Sequence, residues 1–319
     1  MTSPDISIII ASWNTKQMLC RCLASIYQNI KNDLDFEIIV VDNNSNDDSC
    51  KMIKDNFPQV ILIENSYNKG FSAAINSAIS ISKARYVLLL NSDTLILNKA
   101  IQKTLAFAEN HTDAAVTGCK ILNPDRTIQQ SCFMFPSILN MLLSASYLYK
   151  IFPKNRFFGR ERMTWWDRQN VRKVDVVTGC FMLVRSEAIQ KAGKMDESFY
   201  MYGEETDWCY RFKQAGWENL FFPNAEIIHF GGASTRLRKA EMILQLRGSV
   251  LLFMKKHRSR VSYLFACVLV SLFFLARVPY HFFREIILSS SDAGTSIDKT
   301  YLKGAFLALL GAESLCLRK

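Results

Sequence analysis

The sequence predicts an α/β domain, with a mostly parallel central sheet and flanking helices, followed by a helical C-terminal tail. Three observations carry that prediction. Strand and helix patterns alternate through the first half of the chain. The strand segments are mostly apolar, and Tyr86 to Leu90 is apolar without a break. The composition turns basic and apolar after about residue 236. A strand that is apolar at every position is buried on both faces, as in a parallel sheet covered by helices.

Each element has its own signal. Ile6 to Ala11 is a short, mostly β-branched run, which suits a strand. Met18, Leu19, Leu23, Ile26 and Tyr27 recur at helical spacing. Phe36 to Val41 and Val60 to Ile63 read as strands on either side of a further helix. Phe71 to Ile81 follows as a helix, Tyr86 to Leu90 as an apolar strand, Ile101 to Ala108 as a helix and Ala114 to Cys119 as a strand. The stretch from Tyr149 to Lys173 is basic and aromatic. Val174 to Val184 then resumes strand character, Ser186 to Ala192 and Thr206 to Ala215 read as helices, and Leu220 to Phe230 as a strand broken at Pro223. The expected division is a catalytic domain over 1–238 and a helical region over 239–319, membrane-associated or oligomerising.

Composition narrows the class. The 319 residues are 49% hydrophobic and 21% charged, enough for a sizeable core and unlike a disordered chain. The formal net charge of +10 favours an anionic partner: nucleic acid, acidic lipid or a phosphorylated substrate. Nine cysteines form no CxxC pair and no zinc spacing, so reduced thiols and a cytosolic setting are expected. No basic stretch precedes the first short apolar run, so no secretory signal is expected.

The tail contains Val261 to Ala276, an uncharged run flanked by Lys255, Lys256, Arg258 and Arg260 before it and Arg277 and Arg284 after it. As a helix it would span about 24 Å, short of the roughly 30 Å hydrocarbon core. Basic residues at both ends favour the same side of a bilayer, so an in-plane or re-entrant helix is expected rather than a span. The alternative is a hairpin buried on the catalytic domain or on a second subunit. Tyr301 to Ala312 is a second, weaker apolar stretch.

Ligands of open α/β sheets gather at the carboxyl ends of the strands. Asp42 and Asp93 both end strand segments there, where a carboxylate can accept from a ribose or base edge, bind a hard cation, or simply form a turn. No GxG pattern and no GK[ST] occur, so a phosphate ligand would need a metal or basic side chains. Asn68-Lys69-Gly70 precedes a helix rich in small residues, which admits close approach of a ligand or a strand. Asp196 to Asp207 places five carboxylates within twelve residues, among aromatics. Crowding and burial raise carboxyl pKa values, one way to make a general base, although acids also favour helix starts. His229 follows a strand and precedes Gly231, Gly232 and Ser234, which could form an anion-binding turn.

Taken in order, these segments resemble family 2 glycosyltransferases of the GT-A fold, closest to bacterial rhamnosyltransferase-type enzymes of surface polysaccharide synthesis. The resemblance covers about Ile6 to Ser234. It rests on Ser7-Ile8-Ile9-Ile10-Ala11-Ser12-Trp13-Asn14, Val40-Val41-Asp42-Asn43-Asn44-Ser45, Asn68-Lys69-Gly70-Phe71, Leu89-Leu90-Asn91-Ser92-Asp93-Thr94 and Val177-Thr178-Gly179-Cys180-Phe181, with the acidic and His-Phe-Gly-Gly segments.

The resemblance implies a nucleotide-diphosphate sugar held by Ser12, Asn14, Asp42, Asn68, Lys69, Gly70, Asn91, Ser92 and Gly179. Asp93 and His229 would hold Mg²⁺ or Mn²⁺. Glu205 would be the base, with Asp207 and Glu204 as the alternatives. The favoured donor is dTDP-L-rhamnose, and the acceptor a saccharide or lipid-diphosphate-linked saccharide. The expected location is the cytoplasmic face of the plasma membrane, peripheral or monotopic, with an anionic membrane surface as partner of the tail, no nucleic acid, and a homo-oligomer possible. Two positions depart from the family pattern: Asn91 replaces the first carboxylate of the DxD motif, and Glu204-Glu205 replaces Glu-Asp. The competing readings are another UDP- or GDP-sugar donor, a nucleotidyltransferase, and a non-catalytic membrane-peripheral or nucleic-acid-binding protein. Support for the last is the basic, aromatic segment from Tyr149 to Lys173.

Overall fold

The structure is a computed structural model that describes residues 3–30, 34–231, 239–279 and 294–316. The Gly232 to Ser234 turn and Arg284 lie outside the described residues. The chain forms two compact units. The first comprises Met1–Phe135, Trp166–Ser198 and Glu204–Ser234, the second Pro136–Trp165, Phe199–Gly203 and Thr235–Lys319.

In the first unit, β1 (Ile6–Ser12), α1 (Lys16–Asn29), β2 (Phe36–Asp42), α2 (Ser49–Asn56), β3 (Ile61–Glu64), α3 (Phe71–Ile81) and β4 (Tyr86–Leu90) form the expected alternation. They lead into β5 (Thr94–Ile96), α4 (Ala100–Glu109), β6 (Ala114–Leu122), β7 (Ile128–Gln129) and β8 (Cys132–Phe133). The helices α5 (Ile138–Ser146) and α6 (Leu148–Ile151) belong to the second unit. The first resumes with β9 (Arg172–Lys173), β10 (Val176–Val177), β11 (Phe181–Arg185), α7 (Ser186–Ala192), α8 (Glu204–Gln214) and β12 (Glu218–His229).

The main sheet has the order β3-β2-β1-β4-β11-β6-β12-β5. Strands β1 to β4 run parallel, as does β12 beside β6, whereas β11 is antiparallel to both neighbours and β5 to β12. Every residue of β4 and β6 is buried, which accounts for the unbroken apolar character of β4, whereas β6 also buries Thr117 and Lys120. One face of the sheet packs on Leu19, Leu23 and Ile26 of α1 and Ile101 and Leu105 of α4, in one core with Ile8, Leu88 and Phe181.

Two segments differ from the sequence reading. Val174 to Val184 is not one strand: it divides into β10 and β11 around Thr178-Gly179-Cys180. Pro223 does not end its strand. Beside β6 the register of β12 shifts between Phe222 and Glu226, and that irregularity accommodates a residue without an N–H to donate.

The second unit contains α5, α6, α9 (Lys239–His257), α10 (Arg260–Leu275), α11 (Gly294–Leu310) and α12 (Ala312–Leu315). Ser137 and Ser259 cap α5 and α10, each accepting from an N–H three residues on. Ala266, Val270 and Phe274 form the buried face of α10, while Val261, Leu264, Phe265, Val268, Leu272 and Leu275 are exposed at helical spacing. Helix α11 packs beside α10 and exposes Leu302, Phe306, Leu309 and Leu310. Among the described residues, no helix is long and apolar enough to cross a membrane.

Candidate active site

The parallel strands β1, β2 and β4 deliver their carboxyl ends to one edge, and side chains there bind one another. Ser12, at the end of β1, lies 3.0 Å from the Thr15 hydroxyl, which donates to Ser92 Oγ at 3.0 Å. The Asn43 N–H, just past β2, donates to the Ser12 carbonyl. Asn14 adopts φ 53° and accepts from the Asn46 N–H, while its own N–H donates to Ser45 Oγ. The loops after β1 and β2 are thereby fixed together.

Asp42 is buried, with Oδ1 accepting from the Ser45 N–H at 2.8 Å. Its carboxylate stands beside Cys50, whose thiol is pushed up to about 12 by burial and by that charge. The side chain of Asn43 donates to the Gly70 carbonyl and accepts from Asn65. Gly70 has φ 84°, a region open to glycine at little cost, and its N–H donates to Asn68 Oδ1. Lys69 stands over the Tyr67 ring. Ser12, Asn14, Asp42, Asn68, Lys69 and Gly70 thus surround one network at the strand ends.

The segment Asn91-Ser92-Asp93 follows β4 and is locked on two sides. The Asn91 N–H donates to the Cys180 carbonyl, and the Phe230 N–H donates to the Asp93 carbonyl. Pairing of Thr94 with His229 sets the histidine beside Asp93. His229 Nε2 lies 3.2 Å from Asp93 Oδ1 and 3.2 Å from Asn91 Nδ2. Its other nitrogen, Nδ1, lies 2.6 Å from Gln129 Oε1.

The tautomer follows from that arrangement. The Gln129 amide nitrogen donates to Asn123 Oδ1 and to the His229 carbonyl, which fixes the carbonyl end of the amide toward Nδ1. A carbonyl oxygen only accepts, so Nδ1 carries the proton. In the neutral ring Nε2 then presents its lone pair to Asp93 and Asn91. That lone pair can accept from the Asn91 amide nitrogen, and it lies 3.2 Å from the Asp93 carboxylate oxygen. Carboxylate and imidazole are both ligand types for a divalent ion, although among the described residues no three His, Cys, Asp or Glu side chains gather to hold one. Asp93 and His229 are the residues that would hold such an ion, with the remaining ligands supplied from outside the chain. Gln129 sits 100 positions from His229 in the chain, and nothing in the sequence connects them.

The acidic segment divides on folding. Glu204, Glu205 and Asp207 all lie in the first turn of α8. Asp207 is fully buried and bonds Arg211 at 2.7 Å, and Arg211 also donates to the carbonyls of Ala192 and Lys194. Glu204 is buried as well. Glu205 is the partly exposed member, its Oε1 accepting from the Gly179 N–H at 3.1 Å. A Cβ at Gly179 would come within 3.2 Å of Glu205 Cγ and Oε1, so glycine permits this approach. The charges of Glu205 and Asp93 both act on the buried Cys180 thiol. Cys180 is pushed up to about 12, by burial first, with these two carboxylates adding to it and a Thr178 hydrogen bond opposing. The Thr178-Gly179-Cys180 loop thus ties Glu205 on one side to Asn91 on the other.

The chain is similar to several known proteins. Over 268 residues the chain is 24% identical to the N-acetylglucosaminyl-diphospho-decaprenol L-rhamnosyltransferase of Mycobacterium tuberculosis, covering 80% of this chain and 85% of that one. It is 37% identical over 106 residues to the Escherichia coli UDP-Glc:alpha-D-GlcNAc-diphosphoundecaprenol beta-1,3-glucosyltransferase WfaP, covering 33% and 41%. Among solved structures, the mannosyltransferase PcManGT from Pyrobaculum calidifontis, in complex with GDP-Man and Mn²⁺, superposes with a TM-score of 0.54. It shares 13% identity, with 97% of this chain and 88% of that one covered. These likenesses support the α/β GT-A-like fold. Residues 7–192 match the model of Glycosyl transferase family 2, and the chain belongs to that family of glycosyltransferases.

Proposed function

We propose that this chain is a metal-dependent, inverting glycosyltransferase. It would move a sugar, with dTDP-L-rhamnose the favoured donor, to a saccharide or lipid-diphosphate-linked saccharide in surface polysaccharide synthesis. The observation that carries this reading is the Thr178-Gly179-Cys180 loop, which binds Glu205 through the Gly179 N–H and the Asn91-Ser92-Asp93 segment through the Cys180 carbonyl, and so brings the candidate base and the candidate cation-binding segment to one loop. The rhamnose preference rests on the Mycobacterium tuberculosis relative.

In this reading, Ser12, Asn14, Asp42, Asn68, Lys69, Gly70 and Ser92 hold the nucleotide, while Gly179 faces the sugar and Asn91 the diphosphate. Asp93 and His229 would hold Mg²⁺ or Mn²⁺, which when bound supplies positive charge for the departing diphosphate. Glu205 takes the proton from the acceptor hydroxyl. That oxygen forms a bond to the anomeric carbon from the face opposite the breaking C–O(phosphate) bond. Nucleoside diphosphate leaves, and the anomeric centre inverts. Asp207 is occupied by Arg211, and Glu204 is buried, so Glu205 takes the role of base.

The test is titration of the purified protein, with and without Mn²⁺, against dTDP-rhamnose, UDP-sugars and GDP-mannose by calorimetry, followed by product analysis. One donor that binds only with metal, and release of a nucleoside diphosphate, is the expected result. Release of pyrophosphate would instead establish nucleotidyl transfer.

The helical unit supplies the membrane half of the reading. It carries 19 of the 39 lysines and arginines but only 6 of the 29 aspartates and glutamates, a difference of +13, which leaves the first unit at −3. The same unit exposes the apolar stripes of α10 and α11. A second copy would set like charge against like, whereas anionic lipid complements both features. The unit would then lie in the plane of the membrane surface at the cytoplasmic face. The double variant Phe265→Asp, Val268→Asp is expected to cut partitioning onto phosphatidylglycerol vesicles at least about tenfold, because it replaces two exposed apolar side chains of the lipid-facing stripe with charges. Both side chains are exposed, so folding should be unaffected. Unchanged flotation would overturn the membrane assignment.

A further inference from the structure

The basic, aromatic segment that begins at Tyr149 has no part in the donor network. Its first half belongs to the helical unit, where every residue from Ile151 to Phe157 is exposed. Ile151 is 68% exposed, more than any other large hydrophobic side chain among the described residues. Phe152 and Phe157 are exposed at 49% and 53%. The loop is nevertheless tightly built. Asn155 Oδ1 accepts from the N–H groups of Phe157 and Phe158, and the Asn155 carbonyl accepts from the Gly159 N–H. The Thr164 hydroxyl donates to the Pro153 carbonyl at 2.7 Å. Phe152 and Phe157 both pack on Phe158, with ring centroids 5.5 and 5.6 Å away, which gathers the apolar side chains into one patch.

Three apolar side chains fixed in water contribute nothing to the core, and each gains when a partner covers it. Charge selects the partner. Lys150, Lys154 and Arg156 stand within the same loop, and among the described residues none of them forms an ion pair. From Arg126 to Arg160 the sequence has no aspartate or glutamate. An apolar patch ringed by uncompensated cations complements an anionic lipid surface, whose phosphates lie directly above its hydrocarbon. The backbone fits that medium too, since a segment that enters lipid must satisfy its own N–H groups. Those of Phe152, Asn155, Phe157, Phe158 and Gly159 all find acceptors between Leu148 and Asn155, and Pro153 has none to satisfy. Nucleic acid fits less well. Base stacking needs open ring faces, whereas Tyr147, Tyr149 and Trp165 each already carry a cation, from Lys150, Arg162 and Arg156.

We propose that Ile151 to Phe157 is a membrane-docking loop. Ile151, Phe152 and Phe157 enter the headgroup layer of an anionic bilayer, and Lys150, Lys154 and Arg156 meet its phosphates. The proposal rests on the membrane reading of the helical unit. The loop shares no residue with the stripes of α10 and α11, so the two can fail separately.

The test floats the full chain with vesicles of phosphatidylglycerol or phosphatidylcholine. Ile151→Asp, Phe157→Asp should lower partitioning onto phosphatidylglycerol at least about tenfold. It should melt as wild type does without lipid, because both side chains are exposed. Ile151→Leu, Phe157→Trp should partition as wild type does, since both replacements suit a lipid interface. Lys154→Gln should lose about fivefold on phosphatidylglycerol and nothing on phosphatidylcholine. Acetic anhydride labelling locates the contact: Lys154 should react in buffer and be protected on phosphatidylglycerol vesicles. A double aspartate variant that floats like wild type, or a Lys154 equally reactive with and without vesicles, would overturn the loop and leave the stripes as the anchor. Wild type that fails to float would overturn both.

Discussion

Glu205→Gln is expected to lower kcat by about a hundred- to ten-thousand-fold while leaving donor affinity within about twofold. The amide keeps the shape of the side chain, and its carbonyl oxygen can still accept from the Gly179 N–H. What it loses is the capacity to take a proton from the acceptor hydroxyl. The comparison that gives this result its meaning is Asp207→Asn. Asp207 is fully buried against Arg211, and Arg211 in turn holds the carbonyls that end α7. Breaking that pair should cost about 3 kcal/mol of stability and lower the melting temperature. Glu205→Gln changes a partly exposed group and should melt close to wild type. Near-normal turnover in Glu205→Gln would remove it as the base, and a chemical defect without lost stability in Asp207→Asn would transfer the role there.

The order of strands, the helices between them and the strand-end residues were legible because they depend on short stretches of sequence. Tyr86 to Leu90 is apolar throughout since both its faces are buried, and Phe71 to Ile81 keeps helical spacing from end to end. What could not be read depends on pairing between distant segments. Pro223 looks like a strand end until β6 is alongside to accommodate the irregularity. The acidic run from Asp196 to Asp207 looks like one cluster of crowded carboxylates. On folding it becomes a buried ion pair at Asp207, a buried Glu204 and a partly exposed Glu205. The departure at Asn91 also acquires a reason. Its side-chain nitrogen lies against His229 Nε2, where a second carboxylate would repel the ring's lone pair. The uncharged run between basic flanks was legible in the tail, but its two exposed apolar stripes emerge only when α10 and α11 pack and bury their other sides.

Asp93→Ala is expected to abolish the Mn²⁺-dependent part of donor binding and to reduce turnover by at least about a hundredfold, the scale of losing a main stabiliser of developing charge. Calorimetric titration of Mn²⁺ and donor into the variant checks the first effect independently of activity. Gln129 makes the same site testable from outside it. It touches neither the diphosphate nor the sugar in this reading. It acts by holding the Nδ1 proton of His229, so that Nε2 turns its lone pair to Asp93. Gln129→Leu removes that acceptor and frees the ring to rotate or to take the other tautomer, which should weaken Mn²⁺ binding about 10- to 100-fold. Gln129→Glu keeps an acceptor toward Nδ1, although it loses the amide's donations to Asn123 and to the His229 carbonyl, and should lose less. That ordering separates ring orientation from simple packing, since both variants fill the same space. Mn²⁺ affinity unchanged in Gln129→Leu would mean that His229 takes no part in holding the ion, and the cation would then rest on Asp93 and the donor's own oxygens.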